Sequence, residues 1–382
     1  MTDTINIDAV VAAGWLERRA ALARLGVRAQ TLYAYVSRGR VAVRPDPVDP
    51  RRSLYSAADV DALAARRARG RRASVIAASA IAWGEPAVAT SISTVRHGRP
   101  IYRGADAIAL AEHATLEAVA ALLWEADGPV RLSARTTATS PLAALAALAD
   151  RAPPSTGRPV DALRGDAARA VAALVRALGA AGGAAPAHAR LGRGWSLDDA
   201  GADAVRRALV VLADHELNAS TFAARVAAST GASIAACLLA GLATLSGPRH
   251  GGAADAVAAL VHHAARHGPV AALADARTRG ALPGFGHPLY PDGDSRAAAL
   301  LAHAPLDDAL AELRDAAAAR GERPNVDFAL LALARAHGMP PDAPFRLFAL
   351  GRSVGWAAHA MEQAATGQLI RPRARYEGPP LR

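Results

Sequence analysis

The sequence predicts an all-α body preceded by a small basic module, and three observations carry that expectation. Alanine and leucine recur at three- and four-residue spacing over most of the chain after residue 105, the period of a helix with one buried face. Glycine and proline cluster in short punctuating turns between those runs. Charge is uneven: residues 1–73 hold fourteen Arg against seven Asp or Glu, a net of +7, so the other 309 residues share +3 of the total +10. Lysine is absent, and all 44 basic residues are arginine.

Several classes are excluded at the outset. The 382 residues, 52% hydrophobic, suffice for two or three domains with a large core. Arg, His or Asp interrupts every apolar stretch well before twenty residues, so no membrane-spanning helix is expected. The start, Met-Thr-Asp-Thr-Ile-Asn, lacks a basic region followed by an apolar run, which points to a soluble, cytoplasmic protein without a signal peptide. The single cysteine, Cys237, allows neither an internal disulfide nor a zinc cluster and reads as a small core residue.

In the basic module, Glu17 to Leu25 predicts a helix with Ala20, Leu22 and Leu25 inward, closed by Gly26. A turn over 27–30 leads to a second helix, Thr31 to Arg38, which stops at Gly39. Pro45, Pro47 and Pro50 impose an extended wing that carries Arg51 and Arg52. A third helix begins near Ser56 and runs through Val60 and Leu63 into Arg66, Arg67, Arg69, Arg71 and Arg72.

The run Ala-Leu-Ala-Arg-Leu-Gly-Val-Arg-Ala-Gln-Thr-Leu-Tyr-Ala-Tyr-Val-Ser-Arg-Gly (21–39) resembles the winged helix-turn-helix of the MerR and excisionase-like families. The resemblance implies a second helix in the major groove, with Arg28, Gln30, Thr31 and Tyr33 toward bases and Arg38, Arg51 and Arg52 on phosphates. The competing reading is a basic appendage that packs on the body or assists oligomerisation.

From residue 74 onward the pattern is helix, short loop, helix. Residues 90–102 are rich in β-branched types and predict a hairpin ahead of Arg103-Gly104. Helices are expected at 105–125, 141–150, 162–179, 196–214, 216–245, 252–267, 295–320, 326–337 and 342–366, with 180–194 a surface connection. The chemistry sits in the turns between them. His215, His250, His287 and Asp327 stand at helix starts or Gly/Pro turns, whereas packing histidines usually lie inside helices. A helix N-terminus disfavours imidazolium, so such a histidine stays neutral and can donate to a developing oxyanion. Asp327 suits a base, and Arg296, Arg352 and Arg371 suit a dicarboxylate clamp. Together they fit proton abstraction next to a carbonyl. His263 and His267, spaced i,i+4, lack an evident third metal ligand.

His-Glu-Leu-Asn-Ala-Ser-Thr-Phe-Ala-Ala-Arg (215–225), Gly-Pro-Arg-His-Gly-Gly-Ala (247–253), Gly-Phe-Gly-His (284–287), Pro-Asn-Val-Asp-Phe (324–328) and Arg-Ser-Val-Gly-Trp-Ala-Ala-His (352–359) resemble the citrate synthase family in order and spacing, as do Tyr102-Arg103-Gly104 and Ile-Arg-Pro-Arg (370–373). The resemblance implies a helical homodimer with a large domain (74–253 and 346–382) and a small one (254–345) that closes over substrate, behind the helix-turn-helix module (1–73). It implies condensation of acetyl-CoA or propionyl-CoA with oxaloacetate. Asp327 would be the base, His250 the enolate stabiliser and His287 the group that polarises the keto oxygen. His215, Arg296, Arg352 and Arg371, the last supplied by the partner subunit, would bind oxaloacetate. It implies no metal and no resident cofactor, acyl-CoA being a co-substrate. His359 and Glu362 would support the site or a subunit contact.

The chain departs from the family after His287, where Pro288 and Pro291 replace basic residues near the CoA phosphates and Asp292 adds a negative charge. Ala254 stands where the family commonly has Asn, and Arg249 where it has Leu. Two other functions share these residues: a citryl-CoA lyase, and a DNA-binding sensor of carboxylates.

Overall fold

The computed structural model describes residues 14–47, 49–64, 88–133, 140–280, 282–374, 376 and 378–379. The chain divides into two compact units, Met1–Ala89 and Thr90–Arg382.

In the first unit, β1 (Trp15–Glu17), α1 (Arg18–Leu25), α2 (Ala29–Ser37), β2 (Val43–Pro45), β3 (Ser53–Ser56) and α3, described over 57–64, follow in order. The strands form an antiparallel sheet in the order β1-β3-β2, with Leu16 opposite Tyr55 and Val43 opposite Tyr55. Leu16, Ala21, Leu25, Leu32, Val41, Tyr55 and Val60 make its core. Gly26 ends α1 in the left-handed region (φ 60°), and its N–H closes on the Leu22 and Ala23 carbonyls. Two expectations shift here: Ala21 rather than Ala20 faces inward, and the second helix starts at Ala29, two residues early. The arginines at 66–72 lie outside the described residues.

The second unit begins with a small antiparallel sheet, β4 (Ser93–Arg96), β5 (Arg99–Tyr102) and β6 (Ala105–Asp106). Its turns, His97-Gly98 and Arg103-Gly104, have positive φ at both positions, the twist-matched geometry of two-residue hairpins. Helices follow: α4 (Ala107–Ala111), α5 (Leu116–Trp124), α6 (Pro141–Ala149), α7 (Val160–Ala177), α8 (Ala187–Gly194), α9 (Asp199–Val211), α10 (Ala219–Ser229) and α11 (Ile234–Leu245). Then come α12 (Ala253–His267), α13 (Pro269–Thr278), α14 (Ser295–Leu301), α15 (Asp308–Ala318), α16 (Val326–Ala336) and α17 (Ala343–Thr366). The body is therefore mostly helical, the hairpin expected at 90–102 is present as β4 and β5, and β6 and the three-stranded sheet of the first unit add strands to the all-α expectation.

Three long helices expected from periodicity are each two. The 105–125 run breaks at 112–115, where Thr115 caps α5 by accepting the Ala118 N–H. Arg206 covers the exposed end of α4 by donating to the Ala111 and Ala114 carbonyls, 2.9 and 2.8 Å away. The 216–245 run breaks at Gly231 (φ 81°), after which Ser233 caps α11. The 295–320 run breaks at Pro305, which has no N–H to donate, and Asp307 caps α15. The segment 180–194, expected as a surface connection, contains α8, and α13 lies where no helix was expected. Glycine made α8 read as loop. In the structure Gly192 is in contact with α9, where a Cβ would come within 2.9 Å of the Ala202 side chain.

Helix α17 organises the unit. It packs against α5, α7, α9, α10 and α11, while α12 to α16 pack largely on one another. Nearly every position from Leu347 to Met361 is buried, Arg352, Ser353 and His359 included. Such a helix tolerates little added volume. A Cβ at Gly355 would run into the Ala213 carbonyl and Asp214 Oδ1. Gly355→Ala is therefore expected to destabilise the protein by about 1–3 kcal/mol or more, read as a lower midpoint in denaturant at unchanged slope.

Candidate active site

Four loops carry the candidate chemistry, and three of them end in an Asn or Asp that caps the next helix, the loop of His250 ending at Gly252. Asn218 Oδ1 accepts the Ser220 and Thr221 N–H groups at 3.1 Å and starts α10 just after His215. Asp294 caps α14 and so orients Arg296. Asn325 caps α16, setting Asp327 in its first turn. The Gly-Phe-Gly-His segment is zipped to the residues ahead of α16. Gly286 N–H donates to the Arg323 carbonyl (2.9 Å) and Asn325 N–H to the Gly284 carbonyl (2.8 Å). Gly284 and Gly286 have φ of 82° and 69°, and a Cβ at Gly284 would press on Val257 and Phe328 at 3.0–3.3 Å.

Tyr290 sits among His215, His287 and Arg296. Its hydroxyl is 2.9 Å from His215 Nε2, and the Arg296 guanidinium lies 4.8 Å from its ring centre. The His215 and His287 rings meet edge to face at 5.2 Å. Burial pushes the Tyr290 phenol up to about 12, so it stays protonated. Arg296 is 2% exposed and forms a two-pronged pair with Asp294: Nε to Oδ1 at 3.0 Å and Nη2 to Oδ2 at 2.8 Å. Burial opposes the Asp294 anion, yet Arg296 prevails and holds its carboxyl below the usual range.

The three histidines are neutral. Burial lowers His250 and His287 to about 4, with Arg352 acting on the first and Arg296 on the second in the same sense. Burial, then Arg296 and Arg352, push His215 far down as well. The Leu289 N–H donates to His287 Nδ1 at 3.1 Å, so the neutral ring carries its proton on Nε2. His250 Nε2 is 2.8 Å from Ser220 Oγ, which also receives the Trp356 Nε1–H at 3.1 Å and lies 2.7 Å from Asn218 Oδ1.

Arg352 is 1% exposed. Its Nε donates to the Leu212 carbonyl at 3.0 Å, and its guanidinium lies 5.0 Å from the Phe348 ring centre. Its Nη2 is buried without any hydrogen-bond acceptor. An orphaned donor on a buried cation is costly unless something fills it. Asp327 is partly buried, and burial raises it to about 6, with Arg296 pulling down and Asp294 pushing up. A shallow cleft opens beside His287, lined among others by Tyr290, Pro291, Asp294, Glu322 and Arg323.

The fold thus gathers His215, His287 and Arg296 around Tyr290, sets Asp327 beside Arg296, and places His250 and Arg352 against Phe348. Arg371 is not part of this group; it lies exposed in the extended segment after α17. In the first unit, Arg28 is the N-cap of α2, with Gln30 and Tyr33 exposed on the helix and Thr31 partly so. Arg38 is its C-cap, and Arg51 and Arg52 are exposed between β2 and β3. His263 and His267 face each other at 4.5 Å beside Asp275, and no group of described residues fits a metal ion. Reading the residues one by one missed Tyr290, Ser220, Trp356 and Asp214. The available signal was their placement inside, or within three residues of, the motifs that bear the histidines.

The family model for the citrate synthase C-terminal domain matches residues 182–373. The citrate synthase of Haloferax volcanii is 37% identical over 185 residues, covering 45% of this chain and 49% of that one. The 2-methylcitrate synthase of Shewanella oneidensis is 33% identical over 189 residues, 44% of this chain and 49% of that one. The chain spans about half the length of the curated relatives it matches. Among solved structures, the ternary complex of carboxymethyl coenzyme A and oxaloacetate with citrate synthase from Thermoplasma acidophilum superposes with a TM-score of 0.67 at 25% identity. That match covers 78% of this chain and 95% of the other.

Because Asp327 has a raised pKa, its stabilising protonation is complete below the unfolded value of 3.8 and is lost as pH rises through about 6. Asp327→Asn removes that loss. Thermal melts are expected to show the Asn variant above wild type at pH 7.5, with the gap closing as pH falls and gone only below 3.8.

Proposed function

The chain belongs to the citrate synthase family, and from that premise we propose that it condenses an acyl-CoA with oxaloacetate. Acetyl-CoA would give citrate and propionyl-CoA 2-methylcitrate. The observation that carries this reading is Arg352 Nη2, a buried cationic donor without an acceptor, close to neutral histidines. An incoming substrate carboxylate satisfies that donor. A neutral histidine keeps one N–H to donate to a developing oxyanion throughout the neutral pH range.

In this mechanism Asp327 removes a proton from the acyl α-carbon, and the charge moves to the thioester oxygen, where His250 donates a hydrogen bond. For His250 to donate from Nδ1, the Ser220 hydroxyl turns its proton to Nε2. The α-carbon attacks the keto carbon of oxaloacetate, and the His287 Nε2 proton passes to the new alkoxide. Water returns a proton to His287 Nε2 as its oxygen attacks the thioester carbon; the C–S bond breaks, the proton held by Asp327 passes to sulfur, and CoA thiol leaves with the product acid, which ionises to its carboxylate. A positioned acid or base contributes about 10²–10⁴ in rate and an oxyanion donor about 10²–10³. His215, Arg296, Arg352 and Arg371 from the second subunit of a homodimer hold oxaloacetate. Closure of 254–345 onto 74–253 and 346–382 keeps water from the enolate. Release of free thiol from acetyl-CoA and propionyl-CoA, with and without oxaloacetate, tests the proposal. Release is expected to need oxaloacetate, to disappear in Asp327→Asn, and to fall on an acid limb near pH 6 set by Asp327. Absence of release with cleavage of citryl-CoA would instead mark a lyase.

The N-terminal unit supports a second activity, DNA binding. Helix α2 presents Arg28, Gln30, Tyr33 and Arg38 and carries no acidic residue, and Arg51 and Arg52 extend the basic surface. Affinity for duplex DNA is expected to fall steeply with salt. Arg51→Ala with Arg52→Ala should flatten the log–log slope by about two, whereas Gln30→Ala should alter sequence preference.

A further inference from the structure

We propose that His359 is a positioning residue that holds Asp214 off Arg352, leaving the Arg352 guanidinium open for a substrate carboxylate. This rests on the condensation reading only for the identity of that carboxylate.

His359 is fully buried and lies seven residues after Arg352 on α17, two turns along the same side of the helix. Its Nδ1 is 3.0 Å from Arg225 Nη1, and its Nε2 is 3.3 Å from Asp214 Oδ2. A guanidinium can only donate, so Nδ1 accepts and the ring proton sits on Nε2, where it donates to Asp214. Arg225 is itself held by Glu362 Oε2 (2.5 Å) and Gln363 Oε1 (3.1 Å). Glu362 Oε1 in turn accepts from the Ser91 N–H (2.8 Å) and hydroxyl (2.9 Å). The chain of bonds therefore runs from the outer end of α17 inward to Asp214.

Asp214 is fully buried, and Ser93 Oγ donates to the same Oδ2 that His359 engages. Its Oδ1 has no hydrogen-bond partner, and neither has Arg352 Nη2. The two side chains are close enough to influence each other electrostatically, yet no ion pair joins them. Two buried, opposite charges with idle polar atoms would ordinarily close into a pair. Here His359 and Ser93 draw the carboxylate to one side, and Gly355 gives it room by lacking a Cβ. The anion balances the charge of Arg352 without occupying its donor. The same carboxylate belongs to the residue before His215, so the bond also steadies that histidine's loop.

A glutamine at 359 offers an acceptor and a donor about 2.2 Å apart, much as the imidazole does, and so can bridge Arg225 and Asp214. Leucine fills the space without either, and asparagine is too short to reach both. The test compares wild type with His359→Gln, His359→Leu and His359→Asn by crystal structure, and by KM and kcat for oxaloacetate. The Leu and Asn variants are expected to show an Asp214–Arg352 ion pair, a KM raised about tenfold or more and kcat changed by less than about threefold; Gln restores both readouts. Should Leu fail to fold, the Asn and Gln pair decides. Separate Asp214 and Arg352 side chains in Leu or Asn, or equal loss in Gln and Asn, overturn the proposal. A wild type with no oxaloacetate-dependent turnover overturns the condensation reading instead, while the variant structures still decide the role of His359.

Discussion

Four N–H groups converge on one buried carboxylate, that of Asp294, and the site depends on that convergence. Oδ1 accepts from the backbone N–H and Nε of Arg296, and Oδ2 accepts from Nη2 of Arg296 and the backbone N–H of Val326. The first bond caps α14, the last anchors α16, and the middle two fix a guanidinium that is almost wholly out of water. A buried pair is tolerable only when nearly all its hydrogen-bonding capacity is met. Asp294 meets that condition and in doing so fixes the distance between the helix bearing Arg296 and the one bearing Asp327.

That fixed pair sets the electrostatics around it. Arg296 lies near His215, His287, Tyr290 and Asp327, and its positive charge lowers the two histidines and the aspartate in pKa while burial acts in its own direction on each. For a histidine the two effects add, taking His287 to about 4 and His215 well below its usual range. For Asp327 they oppose, and burial wins by enough to leave a base close to physiological pH. Burial and a shared cation thus push the histidines and Asp327 in opposite directions, leaving the rings neutral and the carboxyl raised.

Helix α17 plays the complementary role on the other side. It carries Arg352 with one donor engaged and one open, Trp356 against Ser220, and His359 against Asp214. These side chains stand three, four and seven residues apart, so they share one stripe of the helix. The small sheet before α4 is drawn into the same framework. Tyr102 Oη donates toward the Val211 and Asp214 carbonyls, and Ser93 and Val95 hold Asp214 and Glu216. The loop bearing His215 is therefore braced from two directions before any substrate arrives.

Much of this was legible in the sequence. Periodicity located the helical body, and the five motifs singled out His215, His250, His287, Asp327 and Arg352, with Arg296 nine residues after His287, because local grammar (caps, glycines and prolines) acts within a few residues and is written in order. The breaks within the long runs were harder. Alanine-rich segments keep helical spacing straight through a kink, and caps such as Thr115 and Ser233 resemble ordinary helix residues until a backbone N–H is seen to need them. Glycines in α8 read as loop, although close packing is what required them. What only the tertiary structure decided is which groups share a charge environment. The bonds from Tyr290 to His215 and from His359 to Asp214 join residues 75 and 145 positions apart. No local rule specifies such contacts, because burial and Coulomb interaction depend on distance in space and not on distance along the chain.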